Sequence, residues 1–432
     1  MSIKKLGLLI MVVSTLSLSS IIANGSNETQ QETTSENAVQ TISFYVSNIE
    51  TGKKINDYVM PIIEEKNNVK IQIINRTDGT GVELKTMAAS GNLPDLFYVA
   101  SPNACNSLIN SNKIQPLNDV IIDKKVGDMV DLDKYVWPRK SSDGNVYVMK
   151  YDYPLAYTMF YNSKVFDKYG IKVPTNYDEF KTAVVELHKN NIIPLALFGA
   201  EPWPGVAFYD ELVTRRDPKG VTGLCEGKSE ITDEAFVKAI EELEELSKLG
   251  FVSQSAASTN ASQAIEYFKT GKAAMFANGA WFIKAIEEDS GLELLRNPLA
   301  VPGQEEATKY NFAGGSSQDT TGYAVNPKCE NLDLAEQVLL DYVYYRAKWN
   351  VLKAGAPNVL KTDIQPETAR THQSELFANE IVKAKSTTGL PKTIADPNIQ
   401  QAFYDNVNAV IVGAMTADEF TSEMQKVIKK YR

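Results

Sequence analysis

The sequence predicts an α/β fold of two lobes, each a doubly wound sheet flanked by helices, and three observations predict it. At 432 residues the chain is longer than one compact core serves, since single cores stop growing near roughly 250 to 300 residues. Short apolar runs alternate with helical patterns from residue 41 onward, and strands separated by single helices imply a parallel sheet. The same alternation begins afresh after residue 160, beyond an extended, aromatic-rich stretch suited to a crossing between lobes. With 43% hydrophobic and 23% charged residues, the composition is that of a folded globular protein.

Taken in chain order, Lys4 and Lys5 precede the apolar run from Leu6 to Val13 and small polar residues up to Ala23. That is the pattern of a secretory signal peptide over residues 1–23, and its apolar part is about half of the roughly 20 residues that span a bilayer. Residues 24–40 are polar and Pro-free, carry Glu28, Glu32 and Glu36 and no base, and read as a flexible tether. TISFYVS is then a strand, a helix follows to Asn67, VKIQIIN is a second strand, VELKTMAAS a helix and DLFYVA a third strand.

Residues 144–174 form the crossing. Beyond it, helix starts are marked by Thr175 with Asp178 and by Thr416 with Glu419, where a side-chain oxygen can accept a free backbone N–H. Phe236, Ile240 and Leu243, and likewise Phe420, Met424, Val427 and Tyr431, recur at helical spacing and read as buried stripes. IIPLALFG and AAMFANG are strands. Near Tyr310, NFAGGSSQDTTGYAVNP breaks the helical run and marks a second crossing. The expected organisation is therefore residues 41–152 plus about 313–360 in an N-terminal lobe, and 153–312 plus about 361–432 in a C-terminal lobe.

The net charge of −10 becomes −12 once residues 1–23, with their two lysines and no acid, are removed. Such a surface argues against a nucleic-acid partner. Cys105, Cys225 and Cys329 lie too far apart for a redox pair or a zinc knuckle and are expected as buried thiols. With His188 and His372 the only histidines, no metal site is expected. Nucleophile elbows, Walker loops and dinucleotide fingerprints are absent, and GTGVELK lacks the third glycine of a nucleotide loop. No cofactor and no catalytic residue is assigned, although a carboxylate pair such as Glu201 and Asp210 is of the kind that glycoside hydrolysis uses.

What stands out is aromatic side chains beside turn residues: FGAEPWPG around Trp203, ANGAWF around Trp281 and YDYP around Tyr153. The Asn-Gly pair before Trp281 reads as a turn closing a strand. Ligands bind at the carboxyl ends of strands in α/β sheets. There an indole face can cover the C–H face of a sugar ring while acids and amides take the hydroxyls.

These segments resemble the extracellular solute-binding proteins of ATP-driven sugar importers, in particular the maltose-binding-like family 1, over nearly the whole chain after the signal. ASGNLPDLFYVA is similar to that family's strand entry. GNVYVMKYDYPLAYTMFYNSKVFDKYGIKVPTNYDEF resembles its crossing between lobes, GKAAMFANGAWFI its "GkaAM..nG.W" segment, and GAMTADEFTSEMQKVIKK its closing helix. The resemblance implies the two-lobed periplasmic-binding-protein fold (class II) with the ligand cleft between lobes.

It also implies that Trp281 stacks on sugar, that Glu201 and Trp203 contact it, and that Ser47, Asn48, Ser101 and Asn103 line the cleft from the first lobe. Asp152, Tyr153, Gly315 and Asp319 are further candidates at the two crossings. Position 24 is Asn24, where a lipid-anchored relative would carry Cys, so lipid anchoring is not expected. The expected protein is a monomeric, secreted, non-catalytic receptor that closes on a carbohydrate by hinge motion and presents it to a membrane permease. A secreted carbohydrate-active enzyme, or a receptor for another polar solute, is the alternative.

Overall fold

A computed structural model describes residues 39–48, 50–77, 81–130, 140–141, 143–151, 156–286, 290–315, 321–389 and 396–432. Ten strands are described: β1 (Gln40–Val46), β2 (Val69–Asn75), β3 (Leu96–Val99), β4 (Tyr157–Asn162), β5 (Ile193–Ala196), β6 (Ala273–Gly279), β7 (Leu292–Leu295), β8 (Asn311–Gly315), β9 (Gly322–Val325) and β10 (Ser386–Gly389). They form two four-stranded sheets, in the orders β2-β1-β3-β9 and β5-β6-β4-β7, and a short β10-β8 pair. Helices flank both large sheets, and the protein is two-lobed, as its sequence predicts.

In the first sheet β1 runs parallel to β2 and to β3. Ile42, Phe44, Tyr45 and Val46 are buried, the near-continuous apolar run of a strand covered on both faces. The helix Glu50–Asn67 follows β1 directly and packs Val59 and Ile63 into a core with Phe44, Tyr323 and Tyr342. Phe44 meets Tyr342 edge-on at 4.7 Å, and Tyr323 meets Tyr342 at 4.9 Å. Tyr342 belongs to the long helix Leu332–Ala354, so chain far along the sequence completes the first core.

The second core surrounds the helix Trp203–Thr214, buried at every residue from Pro204 to Thr214. Phe180, Phe236, Leu243 and Phe420 pack around it; the first predicted stripe is inside, and of the second Phe420 and Met424 are buried, Val427 is partly buried and Tyr431, at the end of the last helix, is exposed. β6 is buried along its whole length, as a central strand paired with β5 on one side and β4 on the other.

Both sheets are mixed. β9 is antiparallel to β3, and β4 is antiparallel to both β6 and β7. These are the strands the chain enters by crossing from the other lobe; a direct crossing needs no helical return, and so does not impose the parallel direction that βαβ units do.

One helix start falls where predicted: Thr416 caps Ala417–Tyr431 in a reciprocal box with Glu419. The other begins one residue late. Asn176, in extended conformation, accepts the Glu179 N–H, while the Thr175 hydroxyl donates to the Glu179 carboxylate at 2.8 Å. The three cysteines are free thiols, with Cys105 buried and the other two partly so; burial pushes the Cys225 thiol up to about 12.

Candidate functional site

Because β1, β2 and β3 are parallel, their carboxyl ends share one edge of the first sheet, the edge where α/β proteins take ligands. Ser47 and Asn48 follow β1 there, both half-buried. Asn56 donates from its amide to the Ser47 carbonyl at 2.9 Å and to Asn48 Oδ1 at 3.1 Å, and the Asn48 N–H donates to Asn75 Oδ1. Gly52 keeps the first helical turn tight against this corner, since a Cβ at that position would come within 2.6 Å of the Ser47 carbonyl oxygen.

After β3, Ser101 caps the helix Pro102–Asn110 by accepting the Ala104 N–H, with half-buried Asn103 in its first turn. Asp95 accepts from the Ser43 N–H and hydroxyl, tying the start of β3 to β1.

Sequence reasoning missed other groups on this rim. The Glu83 carboxylate accepts from the Tyr45 hydroxyl at 2.7 Å and from Thr77, and the Arg76 guanidinium lies over the Tyr98 ring at 4.9 Å. The signal was the polar run RTDGTG directly after β2. A groove of about 660 Å³ opens beside the first turn of Glu50–Asn67, lined by Thr51, Lys54, Asp57, Tyr58, Trp349 and Lys353. Trp349 lies near the end of a helix and gave no strand-end signal.

In the second sheet β5 and β6 are parallel, so their carboxyl ends again share an edge, and there the structure brings together three predicted residues. Trp281 leaves β6 on a short 3₁₀ turn, Ala280–Ala285, and is 41% exposed, unlike the aromatic residues of the core. Its ring centroid lies 5.8 Å from that of Trp203, with the planes 57° apart. Trp203 in turn meets the buried Phe198 ring edge-on at 5.4 Å, and its indole N–H donates to Glu201 Oε2 at 2.9 Å. Glu201 is therefore the partner of Trp203 and does not form a carboxylate pair with Asp210. Asp210 is sealed in the core, where it accepts from the Val221 N–H at 2.7 Å and from the Thr388 hydroxyl.

The Asn-Gly pair before Trp281 is not a turn. Asn278 and Gly279 are still paired with Thr158 and Tyr157 of β4, and Gly279 is extended. The glycine serves the indole, which lies over it so closely that a Cβ at residue 279 would come within 2.4 Å of three carbons of its six-membered ring.

This corner adjoins the crossing. Met149 is bridged to Tyr323 of the first sheet, the Ala280 N–H donates to the Ala156 carbonyl at 2.9 Å, and Tyr157 pairs with Gly279. Met149 and Tyr157 are eight residues apart, a reach of at most about 29 Å, so the two tryptophans sit within one short crossing of the first sheet. Asp152, Tyr153 and Asp319 lie outside the described residues; Gly315 ends β8. A separate cavity of about 420 Å³, lined by Glu293, Arg296, Lys309 and Glu380 among others, shares no residue with the indole pair; Arg296 pairs with Glu380 and Lys309 with Glu306, while Glu293 accepts from the Tyr161 hydroxyl. Among the described residues no group of acids, histidines or cysteines is arranged to hold a metal, and no helix is long and apolar enough to cross a membrane.

Comparison with known proteins agrees with this architecture. A multiple sugar-binding protein of Streptococcus mutans is 23% identical over 355 residues, 77% of each chain. Among solved structures, one from work on xylan utilization by the thermophilic bacterium Caldanaerobius polysaccharolyticus has a TM-score of 0.72 at 21% identity, covering 89% of this chain and 99% of its own. A chitin oligosaccharide binding protein has a TM-score of 0.72 at 19% identity, with 91% and 98% covered; at these identities the likeness shows the fold. The sequence profile of the bacterial extracellular solute-binding proteins matches residues 49–344, more than half of the chain, and to that family this protein belongs.

Proposed function

We propose that the chain captures a sugar or oligosaccharide outside the cell, between its two lobes, and presents it to the membrane permease of an ATP-driven importer. The observation that carries this reading is the tilted pair of Trp203 and Trp281, one indole 41% exposed, at a sheet edge that adjoins the crossing between lobes. Indole faces suit the C–H faces of sugar rings. The polar rim of the first lobe (Ser47, Asn48, Ser101 and Asn103, with Arg76 and Glu83 beside them) supplies the hydrogen-bonding groups such a ligand needs. Asp152, Tyr153, Gly315 and Asp319 extend the site at the crossings.

The lobes are residues 41–152 with about 313–360, and 153–312 with about 361–432; β8 pairs with β10 and goes with the second. The sugar rests first on one lobe and gains the aromatic contacts of the other as they close, because only a ligand that binds the closed state better shifts the equilibrium. The protein works as a monomer and does no chemistry on its ligand.

A thermal-shift screen over mono- and oligosaccharides, amino acids and polyamines tests the reading, since a ligand stabilises by RT ln(1 + [L]/Kd). Stabilisation by a sugar is expected. Stabilisation by amino acids or polyamines alone would redirect it to another polar solute, and release of reducing sugar on prolonged incubation with glycans would make the protein an enzyme.

A further inference from the structure

The indole of Trp281 is held in an unusual way. It does not sit in a cavity of large side chains. It folds back on its own strand, over the bare Cα of Gly279, and touches Trp203 from there. Gly279 is extended, with φ −124 and ψ 166, a conformation open to every residue, so the backbone does not require glycine at this position. What requires it is the ring: a Cβ at residue 279 would stand 2.2 Å from the nearest carbons of the indole six-membered ring. Trp203 is fixed from its other side, by Glu201 through the indole N–H at 2.9 Å and by Phe198 edge-on.

We propose that Gly279 and Glu201 are positioning residues that together set the 57° tilt of a two-indole platform and so select its ligand. This rests on the sugar-receptor reading and deepens it. With centroids 5.8 Å apart the two indoles touch and leave no room for a ring between them, so a ligand meets their outward faces, two planes inclined at 57°. Two consecutive sugar rings bent at their linkage can each lay a C–H face on one of them. Because Trp281 is exposed, it can swing into solvent when displaced. Losing its cradle thus alters the platform while the core beneath it, Phe198, Phe276 and Phe282, stays packed. Glu201 does the matching work on the buried side, holding the Trp203 ring in plane with a charge-assisted hydrogen bond.

The test uses the full chain and five variants: Gly279→Ala, Glu201→Gln, Glu201→Ala, Trp281→Ala, and Gly279→Ala combined with Trp281→Ala. Near-ultraviolet circular dichroism and tryptophan fluorescence of the ligand-free proteins report the indole arrangement. Titration with xylotriose, chitotriose and maltotriose reports binding. Gly279→Ala is expected to change the spectra and to weaken binding of the preferred trisaccharide by about tenfold, the worth of an aromatic contact, with a fall in melting temperature no larger than that of Trp281→Ala. Glu201→Ala is expected to act in the same direction, and Glu201→Gln, which keeps an acceptor, to restore most of the affinity. In the Trp281→Ala background, Gly279→Ala is expected to add nothing.

Unchanged spectra and affinity in Gly279→Ala would overturn the proposal. So would an equal loss of affinity with Trp281 already absent, because the glycine would then act through the strand and not through the ring. If the wild-type chain binds none of the three trisaccharides, the sugar reading is what fails; the spectra of the ligand-free variants still decide whether Gly279 and Glu201 set the indoles.

Discussion

Replacing Trp281 by alanine separates a ligand contact from a core residue, because the two roles move different measurements. The indole is 41% exposed, so about three-fifths of it is covered, or roughly 150 Å² if a tryptophan can bury about 250 Å². At about 25 cal/mol per Å² that is a ceiling near 4 kcal/mol. The extended-chain reference overstates such areas by roughly 10–40%, alanine keeps part of the burial, and the ring can leave without opening a closed cavity. The expected folding cost is therefore about 2 kcal/mol, below the roughly 3 to 5 kcal/mol of an aromatic truncated in a packed interior. Loss of a stacking contact in the liganded state should instead cost about 1 to 3 kcal/mol of binding, roughly 5- to 150-fold in Kd. Urea melts of the ligand-free variant and calorimetric titration with the stabilising sugar give the two numbers. A core-sized drop in stability with affinity intact in the folded fraction would refute the stacking role.

Other expectations concern the second lobe's interior. Burial is the largest cause lifting the Asp210 carboxyl from its usual 3.8 to about 7, against hydrogen bonds from Thr388 and Val221 that lower it. The folded chain thus keeps a proton that the unfolded chain releases, and stability should fall as pH rises from about 4 to about 7 and then level. The three-unit difference sets a ceiling of about 4 kcal/mol. Asp210→Asn should flatten that part of the urea-midpoint profile, and an unchanged slope would contradict the assignment. Gly220 has φ +53, and a Cβ there would come within 2.6 Å of Thr388 Cγ2 and closer still to the Asp210 carboxylate, so Gly220→Ala should lower stability by about 2 kcal/mol or more in the same melts. Arg215 and Glu211 form a buried ion pair, their side chains only 2% and 8% exposed. Arg215→Leu leaves the carboxylate without its partner and should cost about 3 to 5 kcal/mol, while replacing both with apolar residues should cost less.

Much of the fold was legible because its periodicities are local. VELKTMAAS is the helix Val82–Ser90, and AAMFANG is β6. β4, β7, β8 and β10 were not singled out. They are short, and what holds β4 is a partner strand more than a hundred residues away, Gly279 for Tyr157, which no local pattern records. The antiparallel direction of β9 and β4 was hidden for the same reason, since it follows from where the chain crosses.

At the site, aromatic residues next to strand ends pointed to Trp203 and Trp281, and the structure brings them into contact. Their supports were misread or unread. Asn278-Gly279 looked like a turn because turns and cradles ask for the same residue, and only the position of the ring tells them apart. Arg76 follows β2 in a polar loop and Glu83 stands in the first turn of the helix Val82–Ser90, and nothing in their spacing says that Glu83 reaches Tyr45.

The central claim is that the lobes close on a sugar, and small-angle X-ray scattering of the full chain, alone and saturated with the sugar that stabilises it most, tests that claim most directly. A smaller radius of gyration with bound sugar, and no such decrease in Trp281→Ala at the same sugar concentration, is the predicted result. A radius unchanged by a sugar that calorimetry shows to be bound would contradict capture by hinge closure.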